Sequence, residues 1–278
     1  MSVPTQPQGE YIYEGVERPW SNWRHVLTLI FHLAKRQVAQ RYQGSSLGFL
    51  WTLFNPLLMM IVYVFLFRFV FRAQVPNVPY ACFFLVGYLM WNAFNMSVLH
   101  NVGVVMECKP LLDTHNFPAW TLPVSRVAAA WFNYLLTLPI LLIFNACFKV
   151  FPGVTMLWLP LVLVVTLAFS IGLGMITAAT TPFFRDLQQF IDIIMTVAYF
   201  LTPILYPYSF PATQIPEWAR ILYSLNPLTG LVEMMHHTFL GMELDAVPVV
   251  SAIVCSAALL FGGRIYFEKR RRFFHFVG

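Results

Sequence analysis

Lys35, Arg36 and Arg41 are the last three Lys and Arg residues before the first long apolar run of the sequence. At the edge of a membrane, such groups bind phosphate oxygens through charge-assisted hydrogen bonds. At about 100° per residue, Lys35 and Arg36 lie on the polar face of a helix over 21–42, whereas Arg41 lies on its apolar side with Trp23. A charge there is costly unless it reaches water or meets an anion, so we predict that Arg41 docks a phosphate head group. The alternative is that Arg41 only anchors the chain at the interface, while Lys35 and Arg36 attract anionic lipid.

Glu233 and His236 form a second candidate pair, one helical turn apart, in the segment 207–245. This segment has four prolines followed by an apolar stretch that is too short to cross a membrane. Such a stretch is typical of a re-entrant or interfacial helix pair, whose broken backbone must be buried in protein or face a water-filled cavity. We predict gating or substrate contact for the pair, and a purely structural hydrogen-bonded pair is the alternative.

The polar patterns that a membrane enzyme needs are not found in the sequence. It contains no Asp-x-Asp, no HExxH and no phosphate-binding GxxxxGK[ST]. The four cysteines are scattered without a CxxC pair, so neither a disulfide framework nor a metal site is expected. We therefore expect a chain with no catalytic site, metal or cofactor of its own.

The elements that must position these side chains are membrane spans. The chain is 59% hydrophobic and only 10% charged, with a mean hydropathy of +0.67, which indicates an integral membrane protein. Apolar runs long enough to cross a bilayer predict six transmembrane helices. They cover about 46–71, 81–106, 124–148, 156–181, 188–206 and 246–267. The predicted fold is thus an all-α polytopic membrane protein.

The basic residues predict the orientation of these spans. If both termini are cytoplasmic, the outer segments hold four of the 17 Lys and Arg residues, namely Arg68, Arg72, Lys149 and Arg220, and the inner segments hold the other thirteen. The net charge of +5 is therefore a topology signal, and no nucleic-acid partner is expected. We divide the chain into a flexible N-terminus (1–20), an amphipathic interfacial helix (21–45) and a transmembrane domain with a cytoplasmic tail (46–278).

Four motifs resemble a known family in order and spacing. They are RYQGSSLGFLWTLFNPLLMMIVYVFLFRFVF (41–71), FFRDLQQ (183–189), YFLTPILYP (199–207) and LNPLTGLVEMMHHTFLG (225–241). As a set they resemble the membrane subunit of the ABC-2 type exporters of bacterial surface polysaccharides, and the first and last motifs are closest to the O-antigen and teichoic acid branch. The resemblance covers about residues 20–268.

The resemblance implies a homodimer in the bacterial inner membrane, docked on a separate ABC ATPase subunit that binds ATP and Mg. Between the two copies would run a channel for an undecaprenyl-pyrophosphate-linked glycan. Lys35, Arg36 and Arg41 would then meet the lipid pyrophosphate. The outer gate would comprise Pro203, Tyr206, Asn226, Pro227, Glu233 and His236.

The stretch 107–120 takes the place of the family's cytoplasmic coupling helix, which fits a groove in the ATPase. The residues expected to contact the ATPase are Leu111, Leu112, Asp113, His115 and Phe117. The family commonly has a basic pair and a hydrophobic residue before Phe-Pro, whereas this chain has Asp-Thr-His-Asn at 113–116. The position of the loop is kept, and the residues before Phe-Pro depart from the family's pattern.

Aromatic side chains are the expected lining of a glycan path, since the C–H faces of sugar rings pack on aromatic rings. We select Tyr63, Trp91 and Tyr199 as canal residues; the alternative is that they face lipid or form an interfacial belt. Two other functions stay open. One is export of a small hydrophobic compound, and the other is a polytopic envelope glycosyltransferase or acyltransferase, which would need a catalytic constellation.

Overall fold

The structure, a computed structural model, describes residues 23–42, 44, 48–70, 72, 75–114, 117–184, 186–209 and 216–274. Regular structure within these ranges is helical throughout. The helices are α1 (Trp23–Tyr42), α2 (Trp51–Val64), α3 (Tyr80–Leu99), α4 (Val104–Glu107), α5 (Lys109–Thr114), α6 (Thr121–Cys147), α7 (Leu159–Thr180), α8 (Leu187–Phe200), α9 (Glu217–Leu225), α10 (Pro227–Leu240) and α11 (Ala246–Arg271). The predicted N-terminus 1–20 lies outside the described residues.

The prediction of an all-α fold is confirmed, and four of the six predicted spans coincide with helices long and apolar enough to cross a membrane. These four are α3, α6, the segment Val154–Phe183 that contains α7, and α11. Shorter apolar helices, Phe54–Val70 and Leu187–Phe200, stand at the first and fifth predicted spans. The count of six spans therefore stays a prediction.

The second and fifth apolar runs extend further than their helices. α3 ends at Leu99, not at the predicted 106, because the Asn101 amide donates to the carbonyl of Ser97 at 2.7 Å and Gly103 then turns the chain with a φ of 82°. α8 ends at Phe200, and Pro203 follows three residues later. Proline has no backbone N–H, so the helix cannot continue through the apolar residues beyond it.

The first apolar run is irregular at both ends. Pro56 lies inside α2 and removes one intrahelical hydrogen bond. After Val64 the chain continues as a π-helix, Phe65–Val70, and Arg72 has a φ of 53°. π-helical turns are rare in proteins and occur often at functional sites.

The main hydrophobic core surrounds α3, most of whose side chains are buried. α6, α7, α8 and α10 pack against α3. A second, smaller core joins the ends of α4, α6, α7 and α11 and includes Phe117, Leu122 and Phe267. α1 packs along α6 near this second core, so the helix that carries Arg41 is held against the bundle.

The apolar side chains of α1 fall into two groups, one packed against the protein and one exposed. Val26 is buried, and Leu29 and Leu33 pack on the second core. Trp23 and Phe31 are 66% and 62% exposed and lie about two turns apart on the same helix. An exposed apolar stripe beside basic residues is what a helix in a membrane interface presents to lipid.

Candidate functional site

The three predicted canal residues lie together in one groove. Tyr63 of α2, Trp91 of α3 and Tyr199 of α8 all line it, and its volume is about 470 Å³. The ring centroids of Tyr63 and Tyr199 are 6.1 Å apart, and those of Trp91 and Tyr199 are 5.6 Å apart. Residues from three helices that are far apart in sequence thus form one aromatic surface.

Packing behind the groove holds these rings in place. The Tyr63 ring also contacts Phe84 of α3, with centroids 5.0 Å apart, and Phe84 stacks on Tyr88. Trp91 contacts Phe94 at 5.6 Å in an edge-to-face geometry. Phe84 and Phe94 are buried in the main core, as are Trp91 and Tyr199 themselves, so the aromatic surface is the edge of that core.

Polar side chains alternate with the aromatic rings of the groove. Asn92 and Asn95 of α3 line it together with Asp192 and Thr196 of α8. Asp192 brings a negative charge, and the Thr196 hydroxyl donates to its carbonyl oxygen at 2.8 Å. A groove with aromatic faces and amide, hydroxyl and carboxylate groups binds molecules that are apolar on one face and hydroxylated at the edge.

A second cavity, of about 220 Å³, lies beside Arg41. It lies between the start of α2, the second half of α3 and the first half of α6. Its lining residues are Arg41, Trp51, Asn55, Pro56, Leu89, Asn92, Ala93, Met96, Ala130, Asn133, Tyr134 and Thr137. We call it the amide cavity, because three asparagine side chains reach it.

The three predicted phosphate-docking residues do not converge. The Arg41 Nη2 lies 3.2 Å from the sulfur of Met96 and lines the amide cavity. Lys35 and Arg36 are exposed and do not line this cavity. His100, one residue beyond α3, adds no charge at neutral pH, because burial and the nearby guanidinium groups of Arg41 and Arg126 lower its pKa to about 4.

The predicted coupling loop, 107–120, begins at the last residue of α4 and contains the short helix α5. Phe117 is buried in the second core, and Leu111 and Leu112 pack against that core, so these three side chains attach the loop to the bundle. Asp113 is exposed at the end of α5. His115 lies outside the described residues.

A salt bridge attaches the loop on its other side. The Arg126 guanidinium of α6 donates to the Glu107 carboxylate of α4 at 2.6 Å. From the sequence, Arg126 is one of the thirteen basic residues that predict the orientation of the spans. In the structure this arginine positions the loop that precedes its own helix.

Four predicted gate residues join the end of α8 to the start of α10. The Asn226 side chain accepts from the backbone N–H of Leu228 at 3.1 Å and so caps α10. Pro227 occupies the first turn, where its missing N–H has no cost. Tyr206 donates to the carbonyl of Phe200 at 2.7 Å, and Pro203 is buried in the turn between these two residues.

Glu233 and His236 are buried within α10, and His236 contacts α3. The His236 ring stacks on Phe83 with centroids 4.1 Å apart, and its Nε2 lies 3.1 Å from the Phe83 carbonyl. The Glu233 Oε1 lies 3.8 Å from the His236 Nδ1. As the sequence spacing predicts, these two residues lie close together. They are buried where α10 packs on α3 and are not at an exposed surface.

Several residues around the cavities were missed from the sequence. Asn92, Asn95, Asn133 and Thr137 are single polar residues in apolar runs. They could have been found because a polar side chain in a membrane span is energetically costly. Such a side chain is tolerated mainly where it lines a cavity or contacts a partner. Among the residues that the structure describes, no group of His, Cys, Asp and Glu side chains could hold a metal ion.

Comparison with known proteins gives three related findings. The profile of the ABC-2 type transporter family matches residues 28–240. The chain is 37% identical over 248 residues to the "O-antigen export system permease protein RfbA" of Myxococcus xanthus, which covers 88% of this chain and 94% of the relative. It is 22% identical over 239 residues to the "Polysialic acid transport protein KpsM" of Escherichia coli, covering 84% of this chain and 90% of the relative.

Proposed function

Because this chain belongs to the ABC-2 type transporter family, we propose that it is the permease subunit of an ATP-driven exporter of bacterial surface polysaccharide. The proposed cargo is an O-antigen-like glycan linked to undecaprenyl pyrophosphate, moved outward across the inner membrane. A separate ABC ATPase subunit binds ATP and Mg and hydrolyses the nucleotide. The two relatives named above are an O-antigen permease and a polysialic acid transport protein, which supports a polysaccharide cargo.

The observation that carries this proposal is the groove that contains Tyr63, Trp91 and Tyr199 together with Asn92 and Asp192. Aromatic faces beside hydrogen-bonding groups match a sugar, whose ring has apolar C–H faces and hydroxyl edges. A small hydrophobic compound would not need the polar groups, whose presence in an apolar span is costly. The groove therefore favours a glycan over that alternative.

We propose that two copies form the working unit and that α2 and α8 are the first and fifth spans. Both helices expose large apolar side chains, including Ile61, Ile193 and Val197, each more than half exposed. These side chains would pack on lipid and on the second copy, and the grooves of the two copies would face one channel. The basic end of α11, with Lys269 and Arg271, supports a cytoplasmic C-terminus.

The ATPase is proposed to dock on α5 through its exposed end. A photo-crosslinker at position 113 should react with the ATPase in the assembled complex, because Asp113 is exposed there and the neighbouring leucines hold the helix in place. A crosslinker at position 217, at the start of α9 in the proposed outer segment, is the matched control. Mass spectrometry of the adducts would contradict the proposed docking face if position 217 reacted and position 113 did not.

Arg41 is proposed to dock the lipid pyrophosphate. We expect Arg41→Ala to reduce stimulation of the complex's ATPase activity by undecaprenyl-pyrophosphate-linked glycan about tenfold, since a charge-assisted hydrogen bond contributes about 1.5–3 kcal/mol. Arg36→Ala is the control, because Arg36 does not line the cavity. Equal stimulation of both variants and the wild type would leave Arg41 as an interface anchor.

A direct test of the proposed division of labour is ATP hydrolysis by purified components. The chain alone should hydrolyse no ATP, and activity should appear when the ATPase subunit of the complex is added. Robust hydrolysis by the chain alone, with the ATPase removed, would overturn the proposal.

A further inference from the structure

We propose that the amide cavity is a binding site for one sugar ring, the ring nearest to the lipid phosphate. The inference rests on the proposed function, because a lipid-linked glycan is what would bring such a ring to this place. It assigns the cavity a ligand distinct from that of the aromatic groove. The cavity would bind the sugar at the lipid-linked end of the glycan, and the groove would bind the sugars that follow it.

The chemistry of the lining is the first argument. Asn55, Asn92 and Asn133 reach the cavity from three different helices. A carboxamide group contains two donor hydrogens and an acceptor oxygen, and so suits hydroxyl groups that both donate and accept. Three such side chains in apolar helices are costly in a membrane unless they line a polar site.

The distribution of charge is the second argument. Arg41 is the one charged residue among those that line the cavity, and it comes from the end of α1, outside the apolar helices. The inner residues, such as Asn133 and Thr137, are uncharged and only 7% and 5% exposed. A ligand that fits this pattern has an anionic group beside the arginine and a neutral, hydroxylated group further inside.

The size of the cavity is the third argument. Its volume of about 220 Å³ equals about seven water molecules at ~30 Å³ each. That space accommodates one ring and is too small for two. Trp51 and Leu89 supply apolar walls, on which the C–H face of a ring packs.

Asn92 connects this site to the aromatic groove. It is the residue that lines both the amide cavity and the groove. Trp91 precedes it on α3 and belongs to the groove. A glycan whose first ring sits in the cavity therefore has a polar contact at the point where its second ring would enter the groove.

The test compares two lipids that differ by one sugar. The complex of this chain with its ATPase, in lipid nanodiscs, is titrated with undecaprenyl pyrophosphate and with undecaprenyl-pyrophosphoryl N-acetylglucosamine. We expect the wild type to bind the sugar-bearing lipid about tenfold more tightly. Asn133→Leu and Asn55→Leu should each reduce this preference about fivefold, as expected for one lost hydrogen bond, and leave binding of the bare lipid unchanged.

Asn145→Leu is the matched control. Asn145 lies on α6, as Asn133 does, and is fully buried, but it lines neither the cavity nor the groove. This variant should keep the full sugar preference. Since Asn55 is exposed, Asn55→Leu keeps the test valid if a buried substitution prevents assembly with the ATPase.

The outcomes separate the inference from the proposed function. Equal binding of the two lipids by the wild type overturns the inference alone. A sugar preference that survives both cavity substitutions, or that Asn145→Leu removes equally, also overturns it. If the wild type binds neither lipid, the proposed function fails and the inference fails with it.

Discussion

Gly263→Leu should abolish accumulation of the folded protein, whereas Gly262→Leu, one residue away, should leave it unchanged. The two glycines differ in what a side chain would meet. A Cβ at Gly263 would overlap with the backbone of Gly172 in α7, and a Cβ at Gly172 would overlap with the carbonyl of Leu259. A Cβ at Gly262 meets nothing within 4 Å.

The effect is large because backbone cannot move aside as a side chain can. α7 and α11 are in close contact, and helices in membranes approach closely where small residues face each other. Overpacking costs about 1–3 kcal/mol where side chains relax, and more where they cannot. A leucine between two backbones would therefore separate the two helices and expose the second core, which includes Phe267.

The measurement is size-exclusion chromatography of fluorescently tagged variants extracted in a mild detergent. We expect a monodisperse peak for the wild type and Gly262→Leu and an aggregated or missing peak for Gly263→Leu. Similar peaks for both variants would contradict the close packing of α7 on α11. Gly172→Leu provides a second, reciprocal variant and should behave as Gly263→Leu does.

Tyr199→Ala should reduce polysaccharide export about tenfold without preventing assembly with the ATPase. Tyr199 lies between Tyr63 and Trp91, with centroid distances of 6.1 and 5.6 Å. Its removal breaks the continuous aromatic surface of the groove. Aromatic pairs contribute about 0.5–1.5 kcal/mol each beyond their area, and a difference of about 1.4 kcal/mol is a tenfold change in binding.

Phe261→Ala is the control for this prediction. Phe261 lies on α11, is 69% exposed and does not line the groove. The readout is the amount of polysaccharide that is accessible at the cell surface, divided by the amount of assembled complex. Equal export by Tyr199→Ala and Phe261→Ala would contradict the role of the groove as the glycan path.

The sequence predicted the positions of the apolar helices better than their lengths. Length of an apolar run is a local property, and four of the six runs correspond to long helices. The ends of the helices depended on local interactions that hydropathy does not describe. An example is the hydrogen bond of the Asn101 side-chain amide at the end of α3. Pro203 had the same effect after α8.

The candidate site was predictable in part, by residue type. The aromatic residues Tyr63, Trp91 and Tyr199 were selected from the sequence and lie in one groove. Their assembly depends on the packing of three helices, which no local pattern reports. For the same reason the convergence of Asn55, Asn92 and Asn133 was not foreseen.

Some residues that were expected to act in gating or in ATPase contact have a clear role in local structure. Asn226 and Pro227 were assigned to a gate from the resemblance, and in the structure they begin α10 as its cap and first turn. Phe117 was expected to contact the ATPase, and its side chain is buried in the second core. A motif shared by a family can thus contain residues that shape the local structure of a functional segment.

ATP-dependent transport by the reconstituted complex tests the central proposal most directly. The chain and its ATPase are inserted into vesicles together with undecaprenyl-pyrophosphate-linked polysaccharide, and a membrane-impermeant glycosidase added on one side reports which glycan is accessible. We expect ATP to move the polysaccharide to the side opposite the ATPase, and vesicles without this chain to show no movement. Unchanged accessibility in complete vesicles that hydrolyse ATP would contradict the proposal that this chain carries the glycan across the membrane.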